Sequence, residues 1–408
     1  MKAHYDQMVR GIDAKAAQAM AAQVTDEGSP YRGAFAQQDG VFQAKSTMYA
    51  VASLVTAYLN EDSRYYHDEG VLDSAVMGFD YVDGVQHENG LFDYVTCNFF
   101  SAPDTAFCIL AWVPHLKYLM GKKELTASEA RIRERMARTV RAGGRGLLGG
   151  GFHTPNHRWA IASLLCCCGR LFEEADLIQA AQSYLNEGMD CNRDGEYAEK
   201  SAGNYNSVNN DAMLLLSESL SDPSYEQNAI RNLKLMLTYL EPDDSVFTAN
   251  STRFDKDRLV YPFCYYFEYL DLGVRYHVPE FIAMANYIMD IAARKRLPPP
   301  DYLIEYMNHP EYVDFESALC GAPREYAAFY PESSIARVRR GGYTYTVMGG
   351  KSNFLYVHNG FIRLAVKLAG SFCEHRAFVS ETISRDAQGA FRLHQTMRGW
   401  YYLPFKEK

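Results

Sequence analysis

Two polar stretches hold the side chains best suited to chemistry. The first, residues 150–159, runs from Gly150 through His153, Thr154, Pro155, Asn156, His157 and Arg158 to Trp159. Pro155 limits where a helix can begin, and Thr154 is a candidate N-cap. Asn156 and His157 are therefore expected in a first helical turn, beside free backbone amides and the positive helix end. That setting suits an anionic oxygen or a carboxylate. It also disfavours a protonated imidazole, leaving His157 neutral and able to donate a hydrogen bond. A cap with surface polar residues is the plainer account. The second stretch, residues 194–211, carries Tyr205 flanked by Gly203, Asn204 and Asn206. A phenol, with an ordinary pKa of about 10, is a poor base near neutrality unless cations or strong donors stabilise the phenolate. Arg158 or His157 would do this if they stood opposite; otherwise Tyr205 is an aromatic plug closing a loop. Asp194, Glu196, Glu199 and Asp211 add carboxylates suited to orienting donors or to hydrolysis.

The elements that must position these stretches are helices. Apolar periodicity predicts helices over 6–23, 47–58 and 67–82, another starting at Asp104, where capping is the first role for that residue, and one from Thr126. Thr126 and Glu129 have capping-box spacing. Further helices are predicted over 156–169, 173–187, 208–220, 225–240, 260–273 and 278–295. Pairs of helices alternate short turns with long polar loops, and those loops contain His87, Asn98, His153, Asn206 and Asn250. Such loops point to a shared surface. A ring of helical hairpins, an incomplete α/α toroid, accounts for the asymmetry; a helical solenoid is the runner-up. The prolines of Leu297–Asp301 end the last long helix. From Ser334 onward, strand-like alternation punctuated by Gly341-Gly342, Gly349-Gly350 and Asn359-Gly360 predicts a small antiparallel, sandwich-like β module. The expected division is a toroid domain over 1–325 and a β domain, short of a full sandwich, over 326–408. Arg337, Arg339 and Arg340 read as solvated strand residues.

A chain of 408 residues, 48% hydrophobic, can bury one large core or two unequal ones. Its net charge of −9 disfavours nonspecific nucleic-acid binding, which needs clustered cations. Tyrosine is abundant, 30 residues against 3 Trp, and a Tyr-lined groove suits sugars as readily as Tyr fills a core. Nine cysteines, including consecutive Cys166, Cys167 and Cys168, show no metal or disulfide spacing and read as buried reduced thiols. No basic-then-apolar leader and no membrane-spanning run is seen, which predicts a cytoplasmic protein.

The order Pro155-Asn156-His157-Arg158-Trp159, then Asp194-Gly195-Glu196-Tyr197, Glu199-Lys200-Ser201, Gly203 and Tyr205, resembles the heparinase II/III-like and oligoalginate-lyase-like superfamily. The specific motifs cover residues 150–160 and 194–206. The resemblance implies an incomplete α/α toroid joined to a β-sandwich domain, and polysaccharide lyase activity on uronic-acid-containing glycans. It places the family's neutralising Asn and His on Asn156 and His157, and its catalytic Tyr on Tyr205. β-Elimination removes the C5 proton of a uronic acid, so donors to the neighbouring carboxylate contribute most as charge develops. Arg158, His153, His87, Asn98, Asn206, Asn250 and Arg253 are the candidate substrate contacts. Relatives commonly have a fuller sandwich, some with a metal or second catalytic His there. Here His358, Cys373, His375 and His394 have no compelling metal spacing, and His375 is the candidate to reach the cleft. No cofactor and no metal is expected. The expected partner is an acidic oligo- or polysaccharide, not nucleic acid or membrane, with homo-oligomerisation left open. Two alternatives stand: a toroid glycoside hydrolase pairing Asp104 with Asp194 or Glu196, and a non-catalytic glycan-binding relative.

Overall fold

The computed structural model describes residues 1–37, 39–372 and 375–399, with side chains at all of these except 372, 375 and 376. Thirteen α-helices run through the described residues: α1 (Lys2–Ala22), α2 (Ala44–Leu59), α3 (Glu69–Val85), α4 (Ala102–Leu110), α5 (Val113–Gly121), α6 (Ala127–Gly146), α7 (Pro155–Leu171), α8 (Ala175–Leu185), α9 (Tyr205–Leu220), α10 (Glu226–Tyr239), α11 (Tyr266–Arg275), α12 (Pro279–Lys295) and α13 (Leu303–Asn308). None is long and apolar enough to cross a membrane. The capping box of α6 forms both of its bonds, Thr126 to the Glu129 amide and Glu129 back to the Thr126 amide. The helix expected from Asp104 begins instead at Ala102, capped by the Ser101 hydroxyl. Asp104 is not the cap; its carboxylate accepts the Ser101 hydroxyl at 2.5 Å. Beyond Leu110 the chain breaks and restarts as α5, whose first turn holds Pro114, a residue with no amide to donate back to the preceding helix.

The chain separates into two compact units that interleave in sequence. One comprises Met1–Met189, Ser207–Ala229 and Phe263–Cys320; the other comprises Asp190–Asn206, Ile230–Pro262 and Gly321–Lys408. The sequence reading places a single cut after residue 325.

In the helical unit, α2 packs on α3, α7 on α8 and α11 on α12, while α4 lies against α2, α6 and α7. Trp112 and Trp159 are fully enclosed, and the Trp112 indole donates to the Met48 carbonyl at 2.8 Å. The run of hairpins curls back on its start, because α1 meets α13 and the side chains of α11. His4 Nδ1 lies 2.9 Å from the Tyr266 hydroxyl, which is 2.6 Å from that of Tyr306. A short hairpin of β1 (Phe92–Tyr94) and β2 (Asn98–Ser101) sits in the polar stretch before α4.

The other unit contains a five-stranded antiparallel meander: β3 (Tyr326–Tyr330), β4 (Ile335–Arg340), β5 (Tyr343–Met348), β6 (Asn353–His358) and β7 (Arg363–Lys367). Two further hairpins follow, β8 (Ala369–Phe372) with β9 (His375–Ala377), and β10 (Thr382–Arg385) with β11 (Phe391–His394). Along β5, Thr344 and Thr346 are buried whereas Tyr343 and Tyr345 are exposed, the reverse of what hydrophobicity alone predicts. The threonines face a buried ion pair. Arg337, expected to be solvated, is fully enclosed and lies 3.0 Å from Glu241 Oε1. The Thr346 hydroxyl accepts from Arg337, the Thr344 hydroxyl donates to Glu241, and His358 Nδ1 lies 3.3 Å from Glu241 Oε2. Burial alone would raise the Glu241 pKa. The Arg337 guanidinium, with His358 and Thr344, outweighs it and holds the carboxyl down at about 2.

Candidate functional site

Pro155 occupies the first turn of α7, as its fixed φ favours, and Thr154 is the N-cap residue. The Thr154 hydroxyl makes no capping bond, however; it donates to Asn156 Oδ1 at 2.6 Å. Asn156 is completely buried, so the amide is fixed in place. His157 is half-buried, with its ring edge-on to Phe107 at 5.7 Å and 6.2 Å from exposed His153. Arg158 is buried. Its guanidinium lies 4.2 Å over the Trp159 ring, and Nη1 is 3.5 Å from Glu187. These contacts hold the guanidinium against α7 and beside Glu187. Among the flanking glycines, a Cβ on Gly150 would stand 2.3 Å from Ala102 Cβ, so that position serves close packing on α4 rather than approach to a ligand.

The second stretch is fastened at three places within its own unit. At its start, Asn192 donates to the Ser333 hydroxyl (3.0 Å), the Arg193 amide to Glu332 (2.9 Å) and the Ser333 amide to Asp194 (2.8 Å). Gly195 takes φ +92°, and a Cβ there would lie 2.3 Å from the Arg231 carbonyl oxygen, so only glycine fits. In the middle, buried Glu196 accepts from Asn250 at 2.6 Å and from the Tyr239 hydroxyl at 3.0 Å, and burial pushes its carboxyl pKa up. At its end, buried Asp255 accepts from the Ser201 hydroxyl (2.8 Å), the Gly203 amide (2.9 Å) and the Ser251 hydroxyl (2.5 Å). Ser201 in turn accepts the Tyr205 amide at 3.1 Å. Tyr205 thus opens α9 rather than lying in a loop. Its half-buried ring carries the Arg253 guanidinium at 5.1 Å and meets Phe254 edge-on at 5.7 Å. Arg253 Nε is 3.3 Å from Glu199, which fixes the cation beside the phenol.

The remaining expected contacts divide by burial. His87 sits beside Asp93, Nε2 to Oδ1 2.9 Å, and its ring lies 4.1 Å from that of exposed Phe100. Asn98 belongs to β2, not a loop, and donates to the Ser101 hydroxyl at 2.8 Å. Asn206 is 1% exposed in the first turn of α9, its amide directed at the Met236 sulfur. Asn250 is 3% exposed with its amide committed to Glu196. The side chain of His375 and all of Cys373 lie outside the described residues. Sequence reasoning missed Asp255 and the Arg337–Glu241 pair, whose partners are remote in the chain. The acidic-then-Ser spacing before Tyr205 was the one local sign of Ser201's role.

No protein-family model matches the sequence, and no curated protein sequence matches it. The fold has structural counterparts. The chain is similar to a Paenibacillus xanthan lyase (TM-score 0.59, 13% identity), covering 88% of this chain and 38% of that one. It is also similar to the Streptomyces coelicolor A3 chondroitin AC lyase in complex with chondroitin sulphate (TM-score 0.53, 15% identity), covering 86% of this chain and 50% of that one. The chain therefore spans half or less of the length of these enzymes. It has their architecture, an incomplete α/α toroid of helical hairpins followed by small antiparallel β-sheets.

Proposed function

We propose that this chain is a polysaccharide lyase that cleaves uronic-acid-containing glycans by β-elimination, related to the heparinase II/III-like enzymes through its two motifs. The observation that carries the reading is the setting of Tyr205. The residue opens a helix, its backbone amide is held through Ser201 and Asp255, and the Arg253 cation is fixed over its ring by Glu199. That setting holds the side chain in one place beside a cation, and fixed position is what a proton-transfer group needs. In the proposed reaction Tyr205 phenolate takes the C5 proton. Asn156 and His157 donate to the uronate carboxylate as enolate-like charge builds on it. The C5 electron pair forms the C4=C5 double bond, the C4–O bond breaks, and the leaving glycosidic oxygen takes the proton back from the tyrosine.

The test is a panel of uronic-acid polymers, followed by the ultraviolet absorbance of the conjugated unsaturated uronate and by reducing-end release. Wild type should produce both signals from at least one polymer. Tyr205→Phe should lose roughly 10²–10⁴-fold of the rate, the usual contribution of a positioned proton-transfer group. Reducing ends released without the chromophore would refute elimination.

One observation favours hydrolysis as a second reading. Solvent reaches Asp211 although protein surrounds it densely, and burial, with Glu305 adding to it, pushes its pKa up to about 7. A carboxyl that keeps its proton near neutrality is the acid a glycoside hydrolase needs. On that reading Asp211→Asn abolishes reducing-end release while Tyr205→Phe spares it.

A further inference from the structure

We infer that Lys45, at the start of α2, binds a carboxylate of the acidic saccharide beside the one handled at His157. This deepens the lyase reading and rests on it.

Lys45 stands in the first turn of a 16-residue helix, where the helix dipole is positive and a cation is disfavoured. That turn contains no acidic side chain and no side-chain cap. Lys45 is half-buried and forms no ion pair among the described residues. Asp104, the carboxylate on the neighbouring helix, is engaged instead with the Ser101 hydroxyl. A cation held at the wrong end of a helix without a counter-ion is costly unless an anion from outside completes the site.

Two further observations place and shape that site. The ammonium of Lys45 lies 5.1 Å from the centre of the Phe107 ring, and His157 meets the same ring edge-on at 5.7 Å. One aromatic side chain therefore keeps cation and imidazole within the sum of those distances, so a single acidic oligosaccharide can reach both. Gln43, the N-cap residue two positions before Lys45, is 1% exposed, yet neither end of its amide has a hydrogen-bond partner among the described residues. A buried amide left unmade is expensive, and an anion seated at this helix start would accept from it as well as from the ammonium. The Phe107 ring supplies an apolar floor on which a pyranose face can rest.

Binding is measured on the full chain by titration calorimetry, with an unsulfated uronic-acid-containing tetrasaccharide and its carboxyl-reduced counterpart. Catalysis is silenced with Tyr205→Phe in every sample. Lys45→Gln should weaken binding of the acidic tetrasaccharide by about tenfold or more, as expected for one charge-assisted hydrogen bond. It should leave the carboxyl-reduced sugar unaffected, and raising the salt concentration should narrow the difference between Lys45 and Gln. Lys45→Arg should restore most of the affinity. Equal acidic-sugar affinity in Lys45→Gln and in its parent overturns this inference while leaving the lyase reading in place. A parent that binds no acidic saccharide removes both.

Discussion

Glu241→Gln tests whether a charge enclosed among β4, β5 and β6 holds the sheet-containing unit together. The carboxyl falls from its ordinary 4.5 to about 2 in the folded chain, against the burial that would raise it. A gap of that size corresponds to about 3 kcal/mol of stability above pH 5, at about 1.4 kcal/mol per pKa unit. The sign follows from the depressed value: the contribution is complete above pH 4.5 and is lost as pH falls through 2. Removing the charge also leaves Arg337 enclosed beside Tyr239 and Phe247 without its counter-ion, a change that costs about 3–5 kcal/mol in comparable sites. Urea unfolding of wild type and Glu241→Gln is compared at pH 7 and at pH 2.5, with hydrogen exchange of the β4–β6 amides to locate the effect. The expected result is a loss of about 3 kcal/mol at pH 7 that shrinks to below about 1 kcal/mol at pH 2.5, and exchange faster by more than about a hundredfold at neutral pH. Equal losses at both pH values would show that the side chain acts through packing and not through its charge.

Two further outcomes follow from described contacts. His115 is buried with Nε2 2.7 Å from the Thr56 hydroxyl, and burial lowers its pKa to about 4. The helical unit should therefore lose about 3 kcal/mol as pH falls from 6.5 to 4. In His115→Gln, urea unfolding should lack the one-proton slope in that window, and an unchanged slope would exclude the imidazole as its source. Asp255→Ala removes the acceptor for Ser201, Gly203 and Ser251. Limited proteolysis should then cut within 194–204, and stability should drop by about 2–3 kcal/mol; full resistance to the protease would show that the other two fastenings suffice.

Local grammar carried the helices well. Pro155 starts α7, and Thr126 with Glu129 starts α6. These signals are written within four residues of each other, where the chain's own geometry decides the outcome. The strands at Ile335–Arg340 and Tyr343–Met348 were legible for the same reason, their alternation and glycine punctuation. What was not legible depends on partners far along the chain. Arg337 looks like one of three surface arginines until Glu241, 96 residues away, is placed against it. Asn250 reads as a sugar contact until Glu196, 54 residues back, takes its amide. Polar residues in long loops therefore overstate the surface available to a ligand, because buried loops spend their amides on themselves. The interleaving of two units has no local sign in the sequence either.

The attachment of Asn192, Arg193 and Asp194 to Glu332 and Ser333 has a consequence for biosynthesis. These partners lie about 140 residues apart. At translation speeds of roughly 5–20 residues per second, the stretch leading to Tyr205 waits on the order of ten seconds for its anchor to be made. A nascent chain halted near residue 325 already contains every described helix, yet lacks Glu332 and Ser333, which pin the start of this stretch. The start of this stretch would thus stay unpinned until residues 332 and 333 are made, while the fastening of Tyr205 through Ser201 and Asp255 can form earlier.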